Sequence, residues 1–362
     1  MESRRPDGTH GRRRHRQTLA PLLAIGLLAT ALVACSQPKP ADLHIALVPI
    51  ATERGTSWEW TPECRVGPRR ESGCDPGGPA VGAAQLAGNA WNLGGESTKG
   101  MLRMAVDDTG ALKVSSDLSS APPCTKADCI APQANTWVRS FPSVLYGIDQ
   151  CNAATSPPQS PSLRLPVQVE SLPSLIAATT YNVQAAQITY DIGYDLWLNP
   201  SDTKTPCRTD GTLEVMLWTD YAQQSVLPES MKVGTATIPF AIDGVADAGY
   251  ERWSVFVSNV FHDGHTAPWG GTVWLVPDAG DRVARGTVSV DLGAALHAVG
   301  ALLERNYGWR NFASKYWLDT VAFGIEFGPN PPDPYGDGPA PFTFELSAYC
   351  LASRTTTSAA RC

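Results

Sequence analysis

Apolar and polar residues alternate with a period of two in several stretches of the chain, the mark of strands that bury one face and turn the other away. Over Tyr190–Leu198, the residues Tyr190, Ile192, Tyr194, Leu196 and Leu198 share one face, and Asp191, Gly193, Asp195 and Trp197 share the other. Leu213, Val215 and Leu217 oppose Glu214, Met216 and Trp218 in the same way. Within Trp317–Gly328, Val321, Phe323, Ile325 and Phe327 oppose Ala322, Gly324, Glu326 and Gly328. A helical period is clear in one place: Asp291, suited to an N-cap, precedes Leu292, Leu296, Val299, Leu302 and Leu303, and the pattern stops near Gly308. Many strands and one helix predict an all-β sandwich of two antiparallel sheets, one of them curved to leave a polar, aromatic groove. No internal repeat or long linker divides residues 41–362, and Thr155–Ser162 and Pro329–Pro341 read as loops, so this span is expected to be a single domain.

Residues 1–34 differ in kind from the rest of the chain. Arg12, Arg13, Arg14 and Arg16 precede an apolar run from Leu19 to Ala34, shorter than the roughly 20 residues that span a membrane. The run ends in Leu32-Val33-Ala34-Cys35, which resembles the lipobox of bacterial lipoproteins. This implies a signal peptide over 1–34, a lipid on Cys35, a short tether over 35–40 and a cell-envelope location, with no other membrane attachment. An ordinary signal peptide, and a secreted product, is the alternative.

Loss of the leader changes the charge. It removes six Arg and two acids, leaving 22 bases against 33 acids, a net charge of −11. So acidic a chain, with only 17% charged residues, does not suit phosphate-backbone binding, and no nucleic-acid partner is expected. Eight cysteines remain besides Cys35, an even number; in an oxidising compartment they suggest disulfides rather than a metal site, with Cys64–Cys74 and Cys124–Cys129 favoured by proximity.

The chemistry lies on the non-core faces. Asp195, Glu214 and Glu326 stand there on three different strands. A solvated outer face would normally carry Thr, Lys, Ser or Gln, but these carry Trp197, Met216 and Trp218, or glycine where a side chain would obstruct. Flat aromatic side chains suit the apolar faces of sugar rings, and paired carboxylates suit glycosidic bond cleavage. Other motifs are weaker. His262-Asp263-Gly264-His265 reads as a surface loop, and Asp333–Gly338 lacks calcium-ligand spacing, so neither a metal nor a cofactor is expected.

Glu214-Val215-Met216-Leu217-Trp218 resembles the Glu-Val-Met-Ile-Trp signature of glycoside hydrolase family 12, small β-jelly-roll endoglucanases and xyloglucanases. In order along the chain, Asn89-Ala90-Trp91-Asn92, Ser140-Phe141-Pro142, Leu165–Val169, Tyr194–Leu198 and Gly324-Ile325-Glu326-Phe327-Gly328 also resemble family segments, and the similarity covers about residues 82–350. The resemblance implies a jelly roll with a concave substrate cleft. It implies Glu214 as nucleophile, Glu326 as general acid/base and Asp195 as the carboxylate beside the nucleophile. Met216 would lie beneath the reacting sugar, and Asn89, Trp91 and Trp218 would bind glucose units. Retention of anomeric configuration would follow, with Glu326 held protonated partly by the negative charge of Glu214 and Asp195.

Three departures are visible. Ile325 and Phe327 replace the Thr and Pro that usually flank the acid/base, and Asp191 stands where the family more often has Asn, a third acid that could change the pH profile. Residues 53–82 match no family segment and are read either as an extension of the cleft or as a cap on a sheet edge, the cap being favoured. The expected protein is a monomeric endo-β-1,4-glucanase acting on β-glucan. The alternatives are a xyloglucan-specific endo-hydrolase on the same scaffold and a non-catalytic carbohydrate-binding jelly roll.

Overall fold

The structure is a computed structural model that describes residues 57–60, 77–81, 83–89, 100–118, 138–148, 159–160, 163–172, 174–184, 188–200, 211–222, 227–242, 250–258, 271–278, 280–329 and 340–353. Their strands, in chain order, are β1 (Ser57–Trp60), β2 (Gly77–Val81), β3 (Ala84–Ala87), β4 (Met101–Val106), β5 (Leu112–Asp117), β6 (Ser143–Gly147), β7 (Val167–Gln168) and β8 (Leu175–Gln184). There follow β9 (Thr189–Asn199), β10 (Leu213–Tyr221), β11 (Lys232–Ile242), β12 (Tyr250–Val257), β13 (Gly271–Pro277), β14 (Arg285–Asp291), β15 (Trp317–Gly328) and β16 (Phe342–Ser353). Helix α1 (Leu292–Tyr307) and a single-turn helix α2 (Phe312–Lys315) separate β14 from β15.

The strands form one hydrogen-bonded path folded into the two layers of a jelly roll. One layer runs β1-β4-β5-β16-β8-β14-β11 and the other β11-β12-β13-β10-β9-β15-β6-β3-β2. β11 belongs to both, pairing β12 through Lys232–Pro239 and β14 through Phe240–Ile242. One pair departs from the antiparallel expectation: β10 and β13 run parallel, because the chain passes through β11 and β12 before it returns beside β10. Residues 53–82 supply β1 and β2, the two ends of the path. Residues 1–56 and 61–76, including Cys35, Cys64 and Cys74, lie outside the described residues, as do Cys124 and Cys129. Cys350, buried on β16, is disulfide-bonded.

The core lies between the layers, where the alternation puts the apolar residues. Ile192, Tyr194, Leu196 and Leu198 of β9, Val215 and Leu217 of β10, and Val321, Phe323, Ile325 and Phe327 of β15 are all fully enclosed. Rings lock the layers together: Phe323 meets Tyr194 at 4.7 Å and Tyr181 of β8 at 5.4 Å, and Phe327 meets Phe342 of β16 at 4.6 Å. The Tyr194 hydroxyl is paired with Thr179 at 3.1 Å, so the aromatic core leaves that polar tip satisfied.

Asp291 caps α1 as the sequence predicts, accepting a hydrogen bond from the Ala294 amide at 3.0 Å. The same carboxylate accepts from Ser174 Oγ at 2.7 Å and the Leu175 amide at 3.1 Å, which ties the helix start to β8. Gly308 ends the helix in the left-handed conformation, φ 70°, where a Cβ would be strained. The helix packs against β11 and β8.

Candidate active site

β15, β9, β10 and β13 lie side by side, and their registers bring the outward-facing side chains together. Asp195 stands opposite Met216 on one side and Ala322 on the other. Glu214 pairs in register with Trp197 of β9 and with Thr272 of β13. Asp191 pairs with Glu326 on β15 and, beyond a bulge at Trp218/Asp220, with Tyr221 on β10. Gly193, between the two aspartates, is opposite both Trp218 and Gly324. A Cβ on Gly193 would fall 2.3 Å from the Leu217 carbonyl oxygen, so this close strand approach admits only glycine.

The carboxylates act on one another. Asp191 is hydrogen-bonded to Glu326 and feels the charges of Asp195 and Glu214. Burial, reinforced by those two negative charges, pushes the Asp191 carboxyl well above the usual carboxylate range, against the opposing effect of the Glu326 hydrogen bond. Asp195, also buried, accepts a hydrogen bond from Trp197 Nε1 at 2.9 Å. Glu214 is half-buried and accepts one from the Thr272 hydroxyl at 2.7 Å. Fixed donors of this kind hold a carboxylate in one rotamer and lower the cost of removing it from water. Among the described residues, no group of three or more acidic, His or Cys side chains is placed to hold a metal ion.

An apolar cluster adjoins the acids. Met216, Trp218, Tyr221, Phe256 and Val276 pack together, with Trp274, Leu227 and Met231 at the margin, and the Trp218 and Tyr221 rings are 5.8 Å apart. Trp218 Nε1 has no hydrogen-bond partner among the described residues. Asn89 is half-buried, adopts φ 42° and donates from Nδ2 to the Phe141 carbonyl at 3.2 Å. Its neighbours tie it to the Glu326 end of the site: Ser140 donates to the Gly88 carbonyl at 2.7 Å and bridges Phe327, next to Glu326.

The structure thus brings Asp195, Glu214, Glu326, Met216 and Trp218 to one face, and places Asn89 beside its β6 flank. Trp91, His262 and His265 lie outside the described residues. Sequence reasoning missed Thr272, Phe256 and Trp274. Alternation in Gly271–Pro277 gives Thr272 and Trp274 a common face, but only the parallel β10/β13 register shows that it adjoins Glu214. A recess of about 270 Å³ lined by Trp309, Arg310, Phe312, Lys315 and Tyr316 lies at the end of α1 and contains none of the expected site residues.

Residues 94–266 match the family model described as glycosyl hydrolase family 12, and this match spans Asp191, Asp195, Glu214, Met216 and Trp218. This span of the chain resembles the family 12 glycoside hydrolases. Solved structures with the same fold include an endo-1,4-β-glucanase, CelB2, at 19% identity and a TM-score of 0.50, covering 78% of this chain and 98% of that one. A metagenome-derived family 12 endoglucanase matches at 18% identity and a TM-score of 0.50, covering 85% of this chain and all of the other. A family 12 enzyme studied for thermal stability gives 17% identity and a TM-score of 0.50 over 78% and 98% of the two chains. No curated protein matches the sequence. Glu326 lies beyond the family 12 match, on a strand hydrogen-bonded to β9 within it.

Proposed function

We propose that this chain is a family 12 glycoside hydrolase, an exported endo-β-1,4-glucanase that hydrolyses β-glucan with retention of anomeric configuration. The observation that carries the reading is that Glu214 and Glu326 stand on the same sheet face, on strands on either side of β9, with Asp195 on the strand between them and a Met/Trp surface alongside. Export and lipid attachment at Cys35 belong to the same proposal and rest on the leader sequence.

The chemistry follows from the positions. Glu214, oriented by Thr272, attacks the anomeric carbon while Glu326 gives its proton to the departing glycosidic oxygen. The C1–O bond breaks, a glycosyl ester forms on Glu214, and Glu326 is left as a carboxylate. That carboxylate then takes a proton from water, whose oxygen attacks C1 and releases Glu214. Two inversions give net retention. Asp195, held by Trp197, adds a fixed negative charge beside the oxocarbenium-like transition state.

The test is a polysaccharide panel with product sizing. Cleavage of carboxymethylcellulose and barley β-glucan to a spread of oligosaccharides, lost in Glu214→Gln and in Glu326→Gln, is expected. Activity on tamarind xyloglucan alone would replace the substrate assignment. Binding without cleavage of any β-glucan would make the protein a carbohydrate-binding jelly roll.

A further inference from the structure

Away from the carboxylate face, the chain passes from α1 into β15 around a recess of about 270 Å³ lined by Gly308, Trp309, Arg310, Phe312, Lys315 and Tyr316. Its charge is unlike that of the rest of the molecule. Residues 305–318 carry three bases, Arg305, Arg310 and Lys315, and no acid, whereas the whole chain holds 28 Lys and Arg against 35 Asp and Glu. We propose that this recess is a second carbohydrate site, built for a sugar unit that bears a carboxylate: a uronic acid residue of an acidic polysaccharide.

The lining residues divide the work of recognition. The Trp309 and Tyr316 rings are parallel within 4°, with centroids 6.1 Å apart, and Phe312 backs Tyr316 at 5.0 Å. Trp309 is half-buried, and a flat indole suits the apolar face of a pyranose ring. Gly308 leaves open space beside it, since a Cβ there would meet no atom within 4 Å. Arg310 and Lys315 are exposed at the rim, with the Lys315 ammonium 5.5 Å from the Tyr316 ring centroid, and a guanidinium is matched in shape to a carboxylate. The acids on the elements packed against α2 are Glu304 of α1 and Glu170 of the turn Val169–Ser171; both are exposed, and among the described residues neither is ion-paired to these bases. Tyr316 is 2% exposed, and its hydroxyl makes no hydrogen bond among the described residues, so the recess holds a donor that the surrounding chain does not satisfy. Burial pushes that hydroxyl up to about 12, so it keeps its proton at neutral pH and can donate.

Size and charge together select the ligand. A volume of about 270 Å³ is just below the ~300 Å³ at which pockets for drug-sized ligands begin, which fits one sugar unit rather than a length of chain. Asp191, Asp195, Glu214 and Glu326 share the outer face of β9, β10 and β15 and repel an anionic chain, so that face suits a neutral glucan. The recess, with two cations and no acid in its lining, has the opposite preference. In the bound state the sugar ring lies against Trp309, its carboxylate is held by Arg310 and Lys315, and the Tyr316 hydroxyl donates to one of its oxygens. The site holds the domain on polysaccharide that carries uronic acids and leaves the carboxylate face free for uncharged substrate.

The test is an NMR titration of the full chain with α-1,4-linked trigalacturonate, with maltotriose as its neutral counterpart and sodium acetate as a carboxylate without a sugar. Neither trisaccharide has the β-1,4 linkage proposed for the substrate. The Trp309 indole N–H signal is identified by its loss in Trp309→Phe. It should shift saturably with trigalacturonate, less so in about 0.5 M NaCl, and stay in place with maltotriose and with acetate at equal carboxylate concentration. Arg310→Ala, checked for an unchanged melting curve, should raise the dissociation constant about tenfold, as expected for one charge-assisted hydrogen bond. No shift at Trp309, or an unchanged dissociation constant in Arg310→Ala, would overturn the proposal. An equal response to maltotriose would overturn its acidic ligand, and an equal response to acetate would reduce the recess to an anion site. A response confined to other indole signals would place the ligand elsewhere and overturn it as well. Each of these outcomes leaves the enzyme assignment intact, because that assignment rests on Glu214 and Glu326.

Discussion

The two faces of β9, β10 and β15 are about equally dry and chemically opposite. On the inner face, Leu196, Val215, Val321 and Phe323 are all 0% exposed and belong to the main hydrophobic core. On the outer face, Asp191, Asp195 and Trp218 are 1%, 5% and 2% exposed, yet they carry carboxyl groups or an indole N–H with no partner among the described residues. Burial on the inner face stabilises the fold, at roughly 25 cal/mol per Å² of apolar surface. Burial on the outer face opposes folding, because carboxyl groups lose water and crowd one another. A sheet that keeps such a face enclosed uses the stability of one side to hold the strained chemistry of the other.

Substitutions on the two faces should separate these roles. The largest effect is expected from Glu214→Gln or Glu326→Gln, which should lower kcat by a factor of about 10³ or more with little change in melting temperature. Phe323→Ala, on the other face of the Glu326 strand, should do the reverse: denaturant titration should show a loss of about 3–5 kcal/mol, while the folded fraction keeps its specific activity. If Phe323→Ala and Glu326→Gln affected stability and rate alike, the division between the faces would fail.

Smaller effects sharpen the division within the outer face. Thr272→Val removes the 2.7 Å donor to Glu214 without changing its volume much, and steady-state kinetics should show kcat reduced about tenfold, corresponding to one charge-assisted hydrogen bond, with KM nearly unchanged. The smallest effect is on stability and depends on pH. The Asp191 carboxyl is raised in the folded state, so its neutral form contributes fully below its unfolded value of 3.8, and that contribution is lost as pH rises toward the folded value. Asp191→Asn should therefore match the unmodified protein in melting temperature near pH 3 and exceed it modestly near neutral pH, which thermal unfolding at the two pH values checks.

The three strands and the helix were legible because each carries its own local signal: strict alternation over Tyr190–Leu198, Leu213–Trp218 and Trp317–Gly328, and an Asp cap with Leu at helical spacing before Gly308. Asp195, Glu214 and Glu326 could be picked out because aromatic and glycine companions are unusual on a solvated face. Features that depend on strand pairing were not legible. The sequence Lys232–Ile242 gives no sign that one strand serves both layers, and nothing local sets β13 parallel to β10. Thr272 was missed for that reason. Asp191 was visible as an extra acid, but its bond to Glu326 arises from the β9/β15 register, which a shift of one residue would abolish.

The central claim is that Glu214 and Glu326 cleave β-1,4-glucan by double displacement. Proton NMR of the anomeric signals during the first minutes of hydrolysis of a cello-oligosaccharide tests it most directly. The account predicts that the β-anomer appears first and then mutarotates, with no product from Glu214→Gln. An α-anomer appearing first, or the same product from Glu214→Gln at an undiminished rate, would contradict it.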